Sequence, residues 1–113
     1  AIVNISSGAA VIGKPGLYAM TKGALNSMQA WLVQDLTPKG IRMNTVSPGF
    51  TRTDMTADMT DNMELRKTIP EGRFGEPEEI ASGVAYLLSK DASYVAGANL
   101  RISGGKVPGT FIG

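Results

Sequence analysis

The chain has 113 residues, with eleven Lys and Arg against ten Asp and Glu, so its formal net charge is +1. This length fits one small domain, and the near-neutral charge argues against a nucleic-acid binder. The absence of cysteine and histidine excludes disulfides, thiolate or imidazole metal ligands and a Ser-His-Asp triad within this chain. The apolar runs fall far short of the ~20 residues that a membrane helix needs, and no signal peptide is recognisable. We therefore expect a soluble, cytoplasmic protein without a metal site.

The first half of the chain predicts a strand, a helix and a second strand. Residues 1–6 form an apolar run typical of a buried parallel strand, and a Gly-rich loop follows over 7–16. Residues 17–37 hold apolar side chains at helical spacing, until residues 38–40 (Pro-Lys-Gly) end the helix. A second short strand is predicted over 41–46.

The second half predicts a helix and a third strand. Residues 50–75 are less regular, and a helix follows over 77–89, with Pro77 in its first turn. The third strand is expected over 98–102, before a Ser-Gly-Gly turn and a turn-rich tail. The alternation of strands and helices predicts an α/β fold with a parallel sheet.

An apolar strand at the very start of the chain would form an uncovered sheet edge, which invites pairing with further protein. We therefore expect residues 1–113 to be the C-terminal part of a larger domain whose N-terminal part precedes Ala1. Several apolar side chains on the two long helices are expected to serve as core or as subunit contact: Trp31, Leu32, Ile80, Val84 and Leu88.

Tyr18 and Lys22 are four residues apart near the start of the first long helix, so both project from one face. A free phenol is a poor base at neutral pH, but a nearby ammonium favours its charged form. The pair is therefore a candidate proton donor and acceptor in a chain without histidine. The alternative is a surface lysine beside a half-buried tyrosine.

Polar residues follow the first two predicted strands. Ser6 and Ser7 end the first strand, and Pro48, Gly49, Thr51 and Thr53 follow the second. Ligands of open α/β sheets bind beyond the carboxyl ends of the strands. A hydroxyl at this edge can donate to a substrate carbonyl, although Ser-Gly is equally compatible with a simple turn.

Taken together, these motifs resemble the short-chain dehydrogenase/reductase family. The likeness extends in order over almost the whole chain. The matching segments are NISS at 4–7, YAMTKGAL at 18–25, GIRMNTVSPGFTRTDM at 40–55, RFGEPEEIA at 73–81, YVAG at 94–97 and the Gly pair at 104–105. The resemblance implies the C-terminal half of a Rossmann-type, doubly wound parallel sheet.

The resemblance also implies roles for individual residues. Tyr18 looks like the catalytic acid–base, and Lys22 like the residue that favours its ionisation and holds the nicotinamide ribose. Ser7 looks like the serine that polarises the substrate carbonyl, with Ser6 as the fallback. Further cofactor contacts would come from the segment after the second strand, through Pro48, Gly49, Thr51 and Thr53. The implied cofactor is NAD(P)(H), without a choice between NAD and NADP.

The segment 55–69 resembles the mobile substrate lid of the family. Met55 and Met59 would then offer an adaptable apolar wall to the substrate, beside Ser7. The alternative is a helix that packs its methionines into the core.

Some features of the family have no counterpart in this chain. These are the Gly-rich fingerprint, the residue that selects NAD or NADP, and the catalytic asparagine; Asn4 and Asn44 match other positions. The interval from Ser7 to Tyr18 is about two residues shorter than the common pattern, and Ser103 stands where Asp is common. These differences concern the loop geometry and the dinucleotide cradle.

Three functions follow as hypotheses. The first is an NAD(P)-dependent oxidoreductase that interconverts a ketone or aldehyde and an alcohol, acting on CH–OH groups. The second is a non-catalytic nucleotide-binding or oligomerisation module, and the third a nucleotide reader without turnover. The expected partners are a small carbonyl or alcohol substrate, the N-terminal half of the same protein, and further copies in a dimer or tetramer.

Overall fold

A computed structural model describes residues 1–13 and 15–107. Its strands are β1 (Ile2–Ile5), β2 (Met43–Pro48) and β3 (Asn99–Ile102), and its helices are α1 (Ala9–Ile12), α2 (Gly16–Leu36), α3 (Met63–Lys67) and α4 (Pro77–Leu88). Short 3₁₀ turns cover Thr37–Lys39, Asp54–Thr56 and Lys90–Ala92. The strands form one parallel sheet in the order β1-β2-β3, which confirms the predicted α/β fold. The tail predicted after Gly105 lies outside the described residues from position 108 onward.

The central strand β2 carries the core. Its residues from Met43 to Ser47 are buried, and α2 and α4 cover opposite faces of the sheet. On one face Thr45 donates to Gln29 of α2 at 2.6 Å, and on the other Gly83 of α4 lies against Ile102. The buried apolar side chains are Ala19, Met43, Val46, Ile69, Phe74, Leu87 and Ala92.

The three polar residues of β2, Asn44, Thr45 and Ser47, are buried because each finds a hydrogen-bond partner. Asn44 donates to the Val95 carbonyl at 2.9 Å and accepts from the Ala98 amide at 2.9 Å. Ser47 donates to the side chain of Asn99 at 2.7 Å. These bonds attach residues 95–99, which lead into β3, to the central strand of the sheet.

The predicted helix over 17–37 is confirmed as α2, although its apolar stripe is only partly buried within this chain. Met20 and Trp31 are exposed, whereas Ala19 and Gln29 are buried. The reason is that α2 approaches the sheet through small and hydrogen-bonding side chains, with Gln29 reaching both Thr45 and the Ala98 carbonyl. Trp31 is therefore not part of the core of this chain, and its other expected role, subunit contact, stays a prediction.

The predicted helix over 77–89 is confirmed as α4, in which Leu87 is buried and Leu88 is half exposed. Of the two roles expected of Leu88, the core is thereby excluded and subunit contact stays a prediction. The Glu76 amide donates to the Glu79 side chain at 2.9 Å and so caps the first turn. Arg73 donates to both carboxylate oxygens of Glu79, at 2.7 and 3.0 Å.

The ion pair between Arg73 and Glu79 gives stability a testable pH dependence. Hydrogen bonding from Arg73, supported by the Glu76 amide, lowers the pKa of the Glu79 carboxyl from 4.5 to about 2. Because the folded-state pKa is the lower one, the stabilising contribution is complete above 4.5 and is lost as the pH falls towards 2. We expect the difference in urea midpoint between the wild type and Glu79→Gln to shrink over that range. Glu78→Gln is the matched control, and a pH-independent difference for Glu79→Gln would contradict this account.

The other elements differ from prediction in detail. The predicted loop over 7–16 contains the short helix α1, and β2 begins two residues later than predicted and ends at Pro48. In the segment that was expected to be a lid or a core helix, Met55 and Met63 are exposed, so the core alternative is wrong for both.

No helix within the described residues combines the length and apolar character needed to cross a membrane.

Candidate active site

A cleft of about 770 Å³ lies at the carboxyl ends of the strands. Its walls come from the loop after β1, the start of α2, the loop after β2, the start of α4 and the segment after β3. The residues that line it are Ile5, Ser6, Ser7, Gly8, Ala9, Pro15, Tyr18, Lys22, Pro48, Gly49, Phe50, Thr51, Thr53, Met55, Thr56, Pro77, Ile80, Ala81, Lys106 and Val107. The cleft therefore brings together all the predicted site residues except Met59.

Tyr18 and Lys22 share one face of α2, as the four-residue spacing predicted. The Lys22 ammonium lies 5.6 Å from the centre of the Tyr18 ring. It also donates to the Ile5 carbonyl at the end of β1, at 3.0 Å. This bond fixes the lysine to the sheet edge, while the tyrosine remains 44% exposed to the cleft.

The two serines after β1 have different surroundings. Ser6 is buried, and its hydroxyl donates to the Lys22 carbonyl at 3.2 Å. The Ser7 hydroxyl oxygen instead accepts from the Ala9 amide at 3.1 Å. Accepting a bond leaves the Ser7 proton available to a ligand, whereas the Ser6 proton is already directed into α2.

The loop after β2 is held firmly against the segment after β3. The Gly49 amide donates to the Ile102 carbonyl at 2.8 Å, and a side chain at position 49 would lie only 2.8 Å from Ser103 Cβ. Thr51 donates to the Gly49 carbonyl at 3.0 Å and forms a parallel bridge with Gly75. The Thr53 amide is capped by the Thr56 hydroxyl at 2.8 Å. These bonds form a rigid rim with hydroxyls along it.

The methionines of the predicted lid separate in the structure. Met55 is exposed and lines the cleft, whereas Met59 is half-buried and does not. Met59 sits after the 3₁₀ turn, and its amide donates to the Thr56 carbonyl at 2.8 Å.

Several lining residues were not predicted from the sequence. They come from the start of α4, through Pro77, Ile80 and Ala81, and from Lys106 and Val107 after β3. Ile80 had been assigned to core or subunit contact. The one available signal was that β3 is parallel to β1 and β2, so the residues after it must reach the same edge.

The charge of the cleft is positive. Lys22 and Lys106 line it, and none of its described lining residues is Asp or Glu. Charges of one sign in a cleft with apolar walls raise the local concentration of oppositely charged ligands. The arrangement favours an anionic ligand.

A parallel sheet with helices on both faces and a ligand cleft at its carboxyl edge defines a Rossmann-type α/β protein. The family model described as "Enoyl-(Acyl carrier protein) reductase" matches residues 1–106. With the Tyr18–Lys22 pair and the serine after β1 at this edge, the chain belongs to the short-chain dehydrogenase/reductase family.

Curated and solved relatives agree with this assignment. The 3-oxoacyl-[acyl-carrier-protein] reductase FabG of Rickettsia bellii is 40% identical over 108 residues, which is 92% of this chain and 45% of the relative. A blue fluorescent protein from a metagenomic library, solved with NADPH, is 39% identical at a TM-score of 0.85, covering 92% and 44% of the two chains. A 4-hydroxyisoleucine dehydrogenase mutant, solved with NADH and succinate, is 32% identical at 0.83, covering 92% and 45%. The chain thus spans less than half the length of these relatives.

Proposed function

We propose that the protein is an NAD(P)-dependent oxidoreductase that interconverts a ketone or aldehyde and an alcohol by hydride transfer. The observation that carries the proposal is the meeting of Tyr18, Lys22 and Ser7 at one cleft. A phenol, an ammonium and a donating hydroxyl are the groups needed to polarise a carbonyl and to exchange a proton with its oxygen.

The residues present fit the nicotinamide end of a dinucleotide. Lys22 brings a positive charge to this part of the cleft, and none of the described lining residues is acidic, which suits a negatively charged dinucleotide. In this proposal the cofactor is held by Tyr18, Lys22, Pro48, Gly49, Thr51 and Thr53. When bound, the nicotinamide supplies or accepts the hydride. The relatives solved with NADPH and with NADH support this cofactor class, and the choice between the two stays open.

The protein side of the reaction belongs to three groups. The Ser7 hydroxyl, whose proton is available, donates to the substrate oxygen and orients the carbonyl. Tyr18 gives its phenolic proton to that oxygen in reduction and takes it back in oxidation. The Lys22 ammonium lies beside the Tyr18 ring, and its bond to the Ile5 carbonyl holds it in position. Met55 offers an apolar contact to the remainder of the substrate.

Residues 1–113 are proposed to be the C-terminal part of a single Rossmann-type domain. Within the described residues β1 pairs only with β2, and its Ile2 and Ile5 are 40% and 42% exposed, which supports continuation of the sheet along this edge. The exposed Met20 and Trp31 on α2 support further burial against protein, as in a homo-oligomer.

The test is an assay of the complete protein that carries this chain, with NADPH or NADH and a panel of ketones. We expect loss of the near-ultraviolet absorbance of the reduced nicotinamide only when both protein and ketone are present. If the folded protein binds either dinucleotide without consuming it, that result would contradict the proposed oxidoreductase activity and favour the alternative of a non-catalytic nucleotide-binding module. The isolated chain of 113 residues is expected to show no saturable dinucleotide binding, and tight binding by the chain alone would contradict the shared-domain proposal.

A further inference from the structure

Lys106 is brought to the cleft by a tight turn after β3. Gly104 and Gly105 have positive φ angles of 62° and 93°, and the Lys106 amide donates to the Ser103 carbonyl at 3.2 Å. A side chain at Gly104 or Gly105 would approach Ile69 to 3.2 Å or Pro70 to 3.0 Å. The turn therefore requires glycine twice, and it leads into Lys106 and Val107, which line the cleft.

The Lys106 ammonium is positioned by groups of the cleft wall. It lies 5.8 Å from the centre of the Phe50 ring and within 3.5 Å of the Thr68 carbonyl. Phe50 itself stacks on the buried Phe74, with ring centres 5.2 Å apart. The cation thus has an aromatic support that is part of the folded core.

The two lysines of the cleft have different surroundings. Lys22 is attached to α2 and β1 beside Tyr18, where the proposed function uses it for the proton-exchanging tyrosine and the cofactor. Lys106 sits on the segment after β3, beside Phe50 and Val107, and the proposed reaction gives it no role. A half-buried cation in a cleft with largely apolar walls acts strongly on an anion that enters it.

We propose that Lys106 determines substrate specificity by binding an anionic group, a carboxylate or a phosphate, on the ketone substrate. This inference rests on the proposed function, and it narrows the substrate class to ketones that carry a negative charge apart from the reacting carbonyl. A purely structural Lys106 would instead cover Phe50 with its aliphatic stem, which methionine can replace.

The probes are methyl ketones that differ in one charge. They are 3-oxobutanoate, 4-oxopentanoate and 5-oxohexanoate, each paired with its methyl ester, and acetoacetyl-coenzyme A as the phosphate-bearing arm. Equilibrium binding and kcat/KM are measured for the complete protein as wild type, Lys106→Met and Lys106→Arg. Lys90→Met, an exposed lysine outside the cleft, is the matched control.

In the wild type, at least one acid is expected to bind more tightly than its methyl ester, or the coenzyme A thioester more tightly than methyl 3-oxobutanoate, which carries the same acetoacetyl group. Lys106→Met should reduce that preference roughly tenfold while leaving ester binding unchanged, and Lys106→Arg should retain most of it. If Lys106→Met loses the preference for acids over esters, the anionic group that Lys106 binds is a carboxylate. If the variant weakens the binding of the coenzyme A thioester alone, that group is a phosphate.

The proposal would be overturned if the wild type bound acids and esters equally and Lys106→Met also left the binding of the coenzyme A thioester unchanged. A Lys106→Met variant that weakens only dinucleotide binding would overturn it as well. Unchanged ester binding also shows that the variant is folded. Because binding is measured separately from turnover, a protein that binds the acids through Lys106 but reduces none of the ketones would refute the proposed enzyme and leave the anion site established.

Discussion

Replacing Tyr18 by phenylalanine is expected to lower kcat for ketone reduction by about 10²–10⁴-fold, because general acid–base catalysis contributes on that scale. The substitution removes one hydroxyl from a side chain that is 44% exposed to the cleft. The ring and its approach to the Lys22 ammonium at 5.6 Å are retained. Binding of the dinucleotide and the melting temperature should therefore change little. The measurement is steady-state consumption of NADPH or NADH by the complete protein.

Tyr94→Phe is the matched control, since Tyr94 is fully exposed and lies outside the cleft. Its kcat should equal that of the wild type. If Tyr18→Phe retained most of the wild-type kcat, Tyr18 would not be the acid–base and the proton would have to come from another group.

Replacing Asn44 by alanine is expected to give a large loss of stability, about 2–4 kcal/mol. Asn44 is buried, and its amide group bonds both the Val95 carbonyl and the Ala98 amide at 2.9 Å. Alanine would leave both of those backbone groups without this partner just before β3. The measurement is the free energy of unfolding in urea.

Asn62→Ala provides the comparison. Asn62 caps α3 by accepting from the Glu64 and Leu65 amides, but it is exposed, so about 1 kcal/mol is expected. A loss for Asn44→Ala no greater than that for Asn62→Ala would show that water replaces the buried bonds.

The order of strands and long helices was predictable because each element has its own local signal. Apolar runs marked the strands, and Pro77 with the acidic residues after it marked the start of α4. The short helix α1 had no such signal, since its four residues lie between Gly8 and Gly13 in a segment rich in turn formers. The second strand was predicted to begin at Ile41 and to end before the turn-forming residues 47–49. It runs instead from Met43 to Pro48 and buries its polar members Asn44, Thr45 and Ser47.

Those polar residues are buried because of partners that are distant in the sequence, such as Gln29 and Asn99. No local pattern encodes such pairs. Local sequence likewise does not determine which side chains of α2 are buried, because burial depends on which face of the helix approaches the sheet. The small Ala19 is therefore buried and the large Trp31 exposed.

The candidate site was predictable where spacing determines geometry. A separation of four residues on a helix was enough to predict that Tyr18 and Lys22 share one face. The predicted ends of the strands were enough to place Ser7 and Gly49 at the same edge of the sheet. The sequence alone could not distinguish Ser6 from Ser7, because the difference lies in where each hydroxyl is directed. Lys106 was missed because it enters the cleft only after the glycine turn has reversed the chain.

The bond from the Lys22 ammonium to the Ile5 carbonyl links the cleft mechanically to the outermost strand. β1 is registered against β2 through four residue pairs, from Ile2 opposite Met43 to Ile5 opposite Val46. A slip of one position would carry the Ile5 carbonyl about 3.3 Å along the strand and reverse its faces, so the ammonium would lose its acceptor. A segment that pairs with the other edge of β1, as proposed above, would restrain this strand from a second side. It would thereby help to keep the acceptor in reach of the cation, although it lies on the far side of the strand from β2.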